Sequence, residues 1–159
     1  GSPSYMRTAR NKTPVLYDGK EDQIKIGKGI VLTEGKDVAI IACGVLVHES
    51  LEAAEKLRSQ GINATVVDMH TIKPLDTDLI DKLSQECGAI VTAEDHSVIG
   101  GLGGAVSEHV VSSNLVPVEK IGVKDRFGES AGADEMLEIM ELKSHHIADA
   151  VKRVIARKA

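Results

Sequence analysis

The chain is organised around residues 90–108, which read IVTAEDHSVIGGLGGAVSE. An apolar run over residues 89–93 is typical of a buried parallel strand, and the polar residues 94–96 close it. Four glycines follow within five positions, and a helical pattern comes after them. Strand, polar corner, glycine loop and helix together predict one βαβ unit of an α/β fold.

The polar corner and the glycine loop form a candidate ligand or interface site. Side chains at the carboxyl end of a strand lie where α/β sheets place ligand contacts. The candidate residues are Glu94, Asp95, His96, Gly100, Gly101 and Gly103. A second interpretation is that the glycines only permit a tight turn and close packing of the helix on the sheet. The local sequence leaves both interpretations open.

The composition favours an α/β core and argues against several kinds of partner. Hydrophobic residues make up 42% of the 159 residues and aromatic residues only 2%, so the core must consist of Val, Ile, Leu and Ala. A formal charge of −5 argues against nucleic acid and anionic membranes as partners. No apolar run reaches the roughly 18 residues of a membrane span. Cys43 and Cys87 lie in apolar stretches, which suits reduced thiols and predicts a cytoplasmic protein.

Strand and helix patterns alternate from residue 37 onward. The predicted strands are 38–43, 62–67, 89–93 and 118–123, and the predicted helices are 46–58, 77–86, 103–112, 133–140 and 146–157. Strands that alternate with helices of this length are typical of a mostly parallel sheet covered on both faces. The sequence therefore predicts a three-layer α/β/α sandwich with about five strands, of which one edge strand can be antiparallel.

Residues 1–36 differ from the rest of the chain. Turn-forming and charged residues dominate there, so we expect only one or two short strands and no helix. One of these strands would lie at residues 3–10 and end in two arginines, Arg7 and Arg10. We therefore divide the chain into an N-terminal arm, residues 1–36, and a domain over residues 37–159.

Two stretches imitate catalytic signatures. A G-x-G-x-x-G match that starts at Gly101 fails because the last glycine would fall on Val106, which argues against a dinucleotide site. Residues 128–132 fit the G-x-S-x-G nucleophile elbow, but the elbow must follow a buried strand directly. Residues 124–127 have loop composition and separate it from the preceding strand. We therefore expect neither an NAD or FAD site nor a hydrolase.

The histidines show no metal-binding pattern. The sequence contains no H-E-x-x-H and no C-x-x-C motif. His70 and His96 follow strands and are either acid–base residues or ordinary loop histidines that bond the backbone. His145 and His146 lie on the last helix, where we expect a solvated surface. The sequence thus predicts no metal site and no catalytic residue in this chain.

Several segments resemble the C-terminal domain of transketolases. They are residues 44–54, 61–64, 71–76 (TIKPLD), 92–96 with 100–103 (TAEDH and GGLG), and 127–131 (FGESA). The domain is shared by 1-deoxyxylulose-5-phosphate synthases and by the β subunits of 2-oxo acid dehydrogenases, and FGESA favours transketolase. The resemblance implies a complete enzyme that transfers a two-carbon ketol unit between phosphorylated sugars with thiamine diphosphate and Mg²⁺ or Ca²⁺. It also implies a homodimer that includes the remaining transketolase domains or a separate subunit.

The resemblance assigns little chemistry to this chain. The family holds its cofactor on other domains through a Gly-Asp-Gly motif and a glutamate, and no Gly-Asp-Gly occurs here, so we expect no cofactor on this chain. Residues 3–14 resemble the exit of the preceding pyrimidine-binding domain, where the family places an arginine that binds the sugar phosphate. Arg10 is the matching position and Arg7 is a second candidate, because a planar guanidinium can hold a phosphate through two hydrogen bonds. An alternative of another class is a non-catalytic domain that binds a regulatory anion at the helix N-terminus of residues 100–104.

Overall fold

The computed structural model describes residues 1, 3–10, 12–19 and 21–158. The described residues form five strands: β1 (Ile30–Thr33), β2 (Val38–Ala42), β3 (Ala64–Asp68), β4 (Ile90–Ser97) and β5 (Val118–Val123). They also form five α-helices: α1 (Leu46–Arg58), α2 (Thr77–Cys87), α3 (Leu102–Ser112), α4 (Ala133–Ile139) and α5 (Ser144–Ile155), with a 3₁₀ turn at Glu21–Gln23. Among these helices we find none with the length and apolarity needed to cross a bilayer.

The five strands form one sheet in the order β1-β3-β2-β4-β5. Strands β2 to β5 pair in parallel, whereas β1 runs antiparallel to β3 at one edge. Ala42 of β2 lies opposite Asp68 of β3 and opposite Ala93 of β4. Strands β2 and β3 therefore end side by side next to Ala93 of β4, and we call this side of the sheet the carboxyl edge. The predicted mostly parallel sheet with an antiparallel edge strand is confirmed.

Helices cover both faces of the sheet. On one face α1 and α5 pack around Ile40, Val91 and Val151. On the other face α2 and α3 pack around Ile41 and Ile90. Successive residues of a strand point to opposite faces, so a strand covered on both sides reads as an unbroken apolar run. Full burial of each such side chain stabilises the folded chain by roughly 1.5–3 kcal/mol. Because helices cover both faces of the sheet, the predicted three-layer sandwich is confirmed.

The boundaries of α2 follow the sequence signals. Oδ1 of Asp76 accepts a hydrogen bond from the backbone N–H of Leu79 (3.4 Å) at the start of the helix. Gly88 ends the helix in the left-handed conformation (φ 65°), and its N–H donates to the carbonyl oxygen of Ser84 (3.0 Å). A polar N-cap and a glycine after the last turn are therefore sufficient to place this helix.

Asp76 also ties the arm to the domain. Its carboxylate accepts hydrogen bonds from the backbone N–H of Gly29 (3.0 Å) and from Nζ of Lys28 (3.1 Å). Burial opposes ionisation of Asp76, but the donors from Gly29, Lys28 and the start of α2 outweigh it, so its pKa lies below the usual range. One carboxylate thus both caps α2 and holds the end of the arm.

Strand β4 is longer than the sequence predicts. It continues through the polar residues 94–96, and Ser97 pairs with Val123 after a register shift beyond Ala93. The N–H of Val98 then donates to the carbonyl oxygen of Val123 (3.0 Å). The polar residues therefore lie within the strand, because β5 still offers it a pairing partner beyond Ala93.

The N-terminal arm agrees only in part with the short strands predicted for it. Residues 3–10 form no strand, because the segment meets β4 through a side chain rather than through a backbone ladder. The end of the arm does join the sheet, since Ile30 pairs with Asp68 and Val31 with Val67. The division between residues 36 and 37 remains a prediction.

Candidate functional site

Glu94 is the central side chain of the carboxyl edge. It is charged, yet only 2% exposed. Its Oε2 accepts a hydrogen bond from the N–H of Leu102 (2.8 Å), and its Oε1 accepts one from the N–H of Gly103 (2.7 Å). The carboxylate thereby satisfies two N–H groups of the first turn of α3 and lies at the positive end of the helix dipole. These charged hydrogen bonds offset the cost of burying the carboxylate.

The glycine loop leaves the space that this carboxylate occupies. A Cβ atom on Gly101 would lie 2.0 Å from Oε2 of Glu94, and one on Gly103 would lie 2.8 Å from Oγ1 of Thr92. Gly100 has a φ of 74°, a conformation that favours glycine. The glycines therefore let the N-terminus of α3 approach the strand closely, which is the packing interpretation of the motif.

The same geometry argues against the regulatory-anion alternative. The N–H groups of Leu102 and Gly103 already donate to Glu94. An external anion would have to displace this carboxylate or lie beside its negative charge, and both are costly in a partly dry site. The geometry therefore favours the packing interpretation, and a ligand or interface role of this loop stays a prediction.

Asp95 and His96 lie at the outer end of β4. Nδ1 of His96 is 2.9 Å from the carbonyl oxygen of Ser97 and 3.8 Å from Oε2 of Glu94. The carbonyl oxygen of Asp95 accepts a hydrogen bond from Nη2 of Arg7 (2.5 Å). His96 thus bonds the backbone, as an ordinary loop histidine would, and the backbone of Asp95 receives the arm.

The two candidate arginines have different surroundings. Arg7 contacts β4 and lines a groove of about 280 Å³ between the arm and the start of α1, together with Pro14, Val45 and His48. Arg10 is exposed, and within the described residues its guanidinium has no hydrogen-bond or ion-pair partner. The structure therefore gives Arg7 an internal contact and leaves the Arg10 side chain open to solvent.

A hydrogen bond between Tyr17 and Asp68 was not identified from the sequence. Oη of Tyr17 donates to Oδ2 of Asp68 (2.6 Å), while Oδ1 of Asp68 is buried without a partner in the described part of the chain. Burial raises the pKa of Asp68, and the hydrogen bond from Tyr17 partly offsets the rise. Burial, followed by the bond to Asp68, also raises the pKa of Tyr17. The only sequence signal is an aspartate that ends an apolar strand.

Among the residues that the structure describes, the other polar groups of the carboxyl edge do not form a catalytic arrangement. Burial, followed by the negative charge of Glu94, raises the pKa of the Cys43 thiol to about 12, so it is protonated at neutral pH. Nδ1 of His70 lies 2.9 Å from Oγ1 of Thr71, and Nε2 of His70 is buried without a partner among the described residues. An activated nucleophile requires an adjacent base, and neither group has that arrangement.

The apparent nucleophile elbow is an exposed loop. Strand β5 ends at Val123 and α4 begins at Ala133, so Ser130 follows no strand directly. Phe127 in this loop is 97% exposed, and Arg126 forms an ion pair with Glu129. The geometry supports rejection of the hydrolase interpretation.

Comparison with known proteins relates this fold to one family. Residues 27–147 match the family model described as "Transketolase, C-terminal domain". A putative transketolase C-terminal section from Methanocaldococcus jannaschii is 44% identical over 151 residues, 94% of this chain and 47% of the relative. A 6-deoxy-6-sulfo-D-fructose transketolase subunit from Clostridium sp. (strain MSTE9) is 42% identical over 156 residues, 98% of this chain and 48% of the relative. A 1-deoxy-D-xylulose-5-phosphate synthase from Trichormus variabilis is 41% identical over 160 residues, 98% of this chain and 25% of the relative.

A solved structure shows the same architecture. It is described as "Split gene transketolase, inactive beta4 tetramer" and superposes with a TM-score of 0.90 at 42% sequence identity. The match covers 94% of this chain and 49% of that chain. The present chain therefore spans about half the length of the two transketolase-named relatives and of this neighbour.

Proposed function

Because this chain belongs to the transketolase C-terminal domain family, we propose that it is the C-terminal portion of a transketolase. The complete enzyme transfers a two-carbon ketol unit between phosphorylated sugars. The observation that carries the proposal is the 44% identity to a transketolase C-terminal section across 94% of this chain.

We propose that thiamine diphosphate and its Mg²⁺ or Ca²⁺ bind to the other part of the enzyme, because the carboxyl edge of this chain offers few free groups for them. A diphosphate held through such a cation needs free oxygen ligands, and a helix N-terminus is the usual source of N–H donors for phosphate. Here Glu94 uses the donors of α3, and the carboxylate of Asp68 is bonded to Tyr17. We therefore place the cofactor on the other part of the enzyme and derive no reaction step through it here.

The exposed apolar side chains of this chain support a role in binding the rest of the enzyme. Large apolar side chains remain exposed on the arm and on the loops that follow β4 and β5. These are Tyr5 (90%), Met6 (85%), Ile99 (64%) and Phe127 (97%). Large apolar side chains this exposed are candidates for contact with another part of the protein. We propose that they are buried against the remaining domains or subunit, and that the complete enzyme is a homodimer.

Arg10 is the residue of this chain that we propose to contact substrate. The side chain is exposed and uncommitted, whereas Arg7 beside it already bonds β4. A free guanidinium next to the site of the preceding domain can bind a sugar phosphate through two hydrogen bonds. Arg7 would then position this segment of the arm by its bond to the Asp95 carbonyl.

A second candidate function is 1-deoxyxylulose-5-phosphate synthesis, because a synthase of that name is 41% identical over 98% of this chain. The two reactions use different donors. The complete enzyme should accept a ketose phosphate as donor and an aldose phosphate as acceptor, with no release of CO₂. Turnover that requires pyruvate and releases CO₂ would instead assign the chain to the synthase or to a 2-oxo acid dehydrogenase.

A further inference from the structure

Three potential metal ligands meet where α4 ends and α5 begins. Nε2 of His145 lies 3.1 Å from Oε1 of Glu138, and Nε2 of His146 lies 3.8 Å from the same oxygen. One ligand atom from each of the three residues falls within 4.8 Å of the others. We propose that Glu138, His145 and His146 bind a divalent transition-metal ion such as Zn²⁺. The sequence predicted a solvated histidine pair and no metal site, because Glu138 comes close only in the folded chain.

The donor set matches the chemistry of zinc. Two imidazole nitrogens and a carboxylate oxygen are a common set of three protein ligands for Zn²⁺, with a fourth position for water. Ligand atoms about 2.0–2.1 Å from a tetrahedral ion lie roughly 3.3 Å apart. The observed 3.1 and 3.8 Å lie on either side of that value, and the ligand atoms of the two histidines lie within 4.8 Å of each other, so the three ligands must draw closer together when the ion binds. The side chains of His145 (53%) and Glu138 (54%) are exposed enough to admit the ion and its water.

The charges around the site are balanced. The carboxylates of Glu141, Asp149 and Asp134 are already paired with lysines. The positive end of the α5 dipole also opposes a cation. The proposal therefore rests on the three converging ligand atoms and not on a favourable local charge.

A bound ion would join two elements that are otherwise weakly connected. None of the residues of α4 is buried, and the helix contacts the core only through partly buried side chains such as Met136 and Leu137. Lys143 adds an ion pair from the start of α5 to Asp134 of α4. Ligands from both helices on one metal would hold α4 against α5, so metal binding should also stabilise the folded chain. This role is independent of the proposed enzymatic function.

The test is a calorimetric titration of the full chain with ZnCl₂ near pH 7.5, repeated with MgCl₂. We expect one Zn²⁺ per chain, a rise in Tm that EDTA reverses, and no heat with Mg²⁺, which prefers oxygen ligands. Glu138→Gln, His145→Gln and His146→Asn should each weaken Zn²⁺ binding by about tenfold or more, since even a supporting group of a metal site is worth that much.

A matched control comes from α1. Nε2 of His48 lies 3.2 Å from Oε1 of Glu52, so this pair has the same geometry and similar exposure but no second histidine. His48→Gln should leave Zn²⁺ affinity unchanged. The proposal is wrong if the wild-type chain shows no saturable Zn²⁺ binding, or if His48→Gln weakens binding as much as His145→Gln does. His145 is exposed, so His145→Gln should keep the wild-type unfolding transition and remain informative if a variant at the more buried His146 fails to fold.

Discussion

The two arginines of the arm show how neighbouring side chains of one kind take different roles. Arg7 donates to the carbonyl oxygen of Asp95, whereas Arg10 has no partner in the described part of the chain. The resemblance to transketolases selects Arg10 by its position before the proline, and the structure leaves that side chain uncommitted. A phosphate contact remote from the reacting carbonyl supplies binding energy and orientation rather than chemistry.

In the complete enzyme, Arg10→Ala should cost roughly 2–4 kcal/mol of kcat/KM with phosphorylated sugars, because it removes a charged hydrogen-bond partner. Arg10→Lys should recover only part of the loss, since an ammonium cannot reproduce a two-pronged contact. The measurement compares pairs of substrates that differ only in the phosphate. Equal losses of Arg10→Ala on the two substrates would show that Arg10 is structural.

Tyr17→Phe should destabilise the chain by about 1–3 kcal/mol at neutral pH, because it leaves the buried carboxylate of Asp68 without its donor. The pKa of Asp68 is raised in the folded state, chiefly by burial, so its contribution to stability is complete below the unfolded pKa and falls as pH rises through the folded pKa. Loss of the Tyr17 donor raises that pKa further. The destabilisation should therefore be larger at pH 7 than near pH 3.5, below the ordinary pKa of aspartate of about 3.9.

Urea unfolding at the two pH values measures this effect. Tyr5→Phe is the matched control, because Tyr5 is 90% exposed and its variant should change the free energy of unfolding by less than about 0.5 kcal/mol at either pH. A Tyr17→Phe effect that is independent of pH would contradict the role assigned to Asp68.

At the scale of the elements, the contact of β4 with α3 depends on Gly101. The backbone of Gly101 is ordinary (φ −104°), so the requirement for glycine is purely steric. Gly101→Ala would drive Cβ into the Glu94 carboxylate and disturb the two hydrogen bonds to α3, at a cost of about 2–3 kcal/mol. Gly104→Ala adds a Cβ in open space within the same helix and should stabilise the chain by roughly 0.5–1 kcal/mol. Chemical unfolding of the two variants tests the packing interpretation, which equal effects would contradict.

Helices and strands were predicted correctly where a local sequence signal, such as a helix cap or an unbroken apolar run, is sufficient to define them. Asp76 and Gly88 bound α2 by their own chemistry, and the apolar run of β2 indicates burial on both faces. The end of β4 was not predictable, because residues 94–96 are polar and their strand conformation depends on pairing with β5. Residues 3–10 were predicted to form a strand, and this prediction was wrong. Their sequence pattern is strand-like, but no strand of the sheet pairs with them.

At the scale of the whole molecule, sequence patterns indicated which residues lie at the carboxyl edge but not which side-chain contacts they make there. Glu94 and the glycines were identified together as a site, while the hydrogen bonds that Glu94 accepts from the N–H groups of Leu102 and Gly103 were not. The Tyr17–Asp68 bond joins residues 51 positions apart, and the contact of Glu138 with the His145–His146 pair depends on how α4 and α5 pack. No local pattern encodes such contacts.

Limited proteolysis tests whether the arm is less stable than the domain. The described side chains between residues 3 and 25 are mostly exposed, so brief trypsin treatment should cut there first, for example after Arg10 or Lys12. Residues 38–123 contain the buried strands and should stay intact, and the bonds of Lys28 and Gly29 to Asp76 should protect the junction. Mass spectrometry of early fragments gives the order of cleavage. Early cuts within residues 38–123 would contradict the proposed domain boundary.

The most direct test of the account is calorimetric titration with thiamine diphosphate and Mg²⁺, performed on this chain and on the complete enzyme. If the chain is the C-terminal portion of a transketolase, the complete enzyme should give a saturable, metal-dependent isotherm. The chain alone should give none, because we place the cofactor on the other part of the enzyme and because Glu94 and Asp68 at the carboxyl edge already have hydrogen-bond partners. A micromolar, Mg²⁺-dependent isotherm on the chain alone would contradict the account.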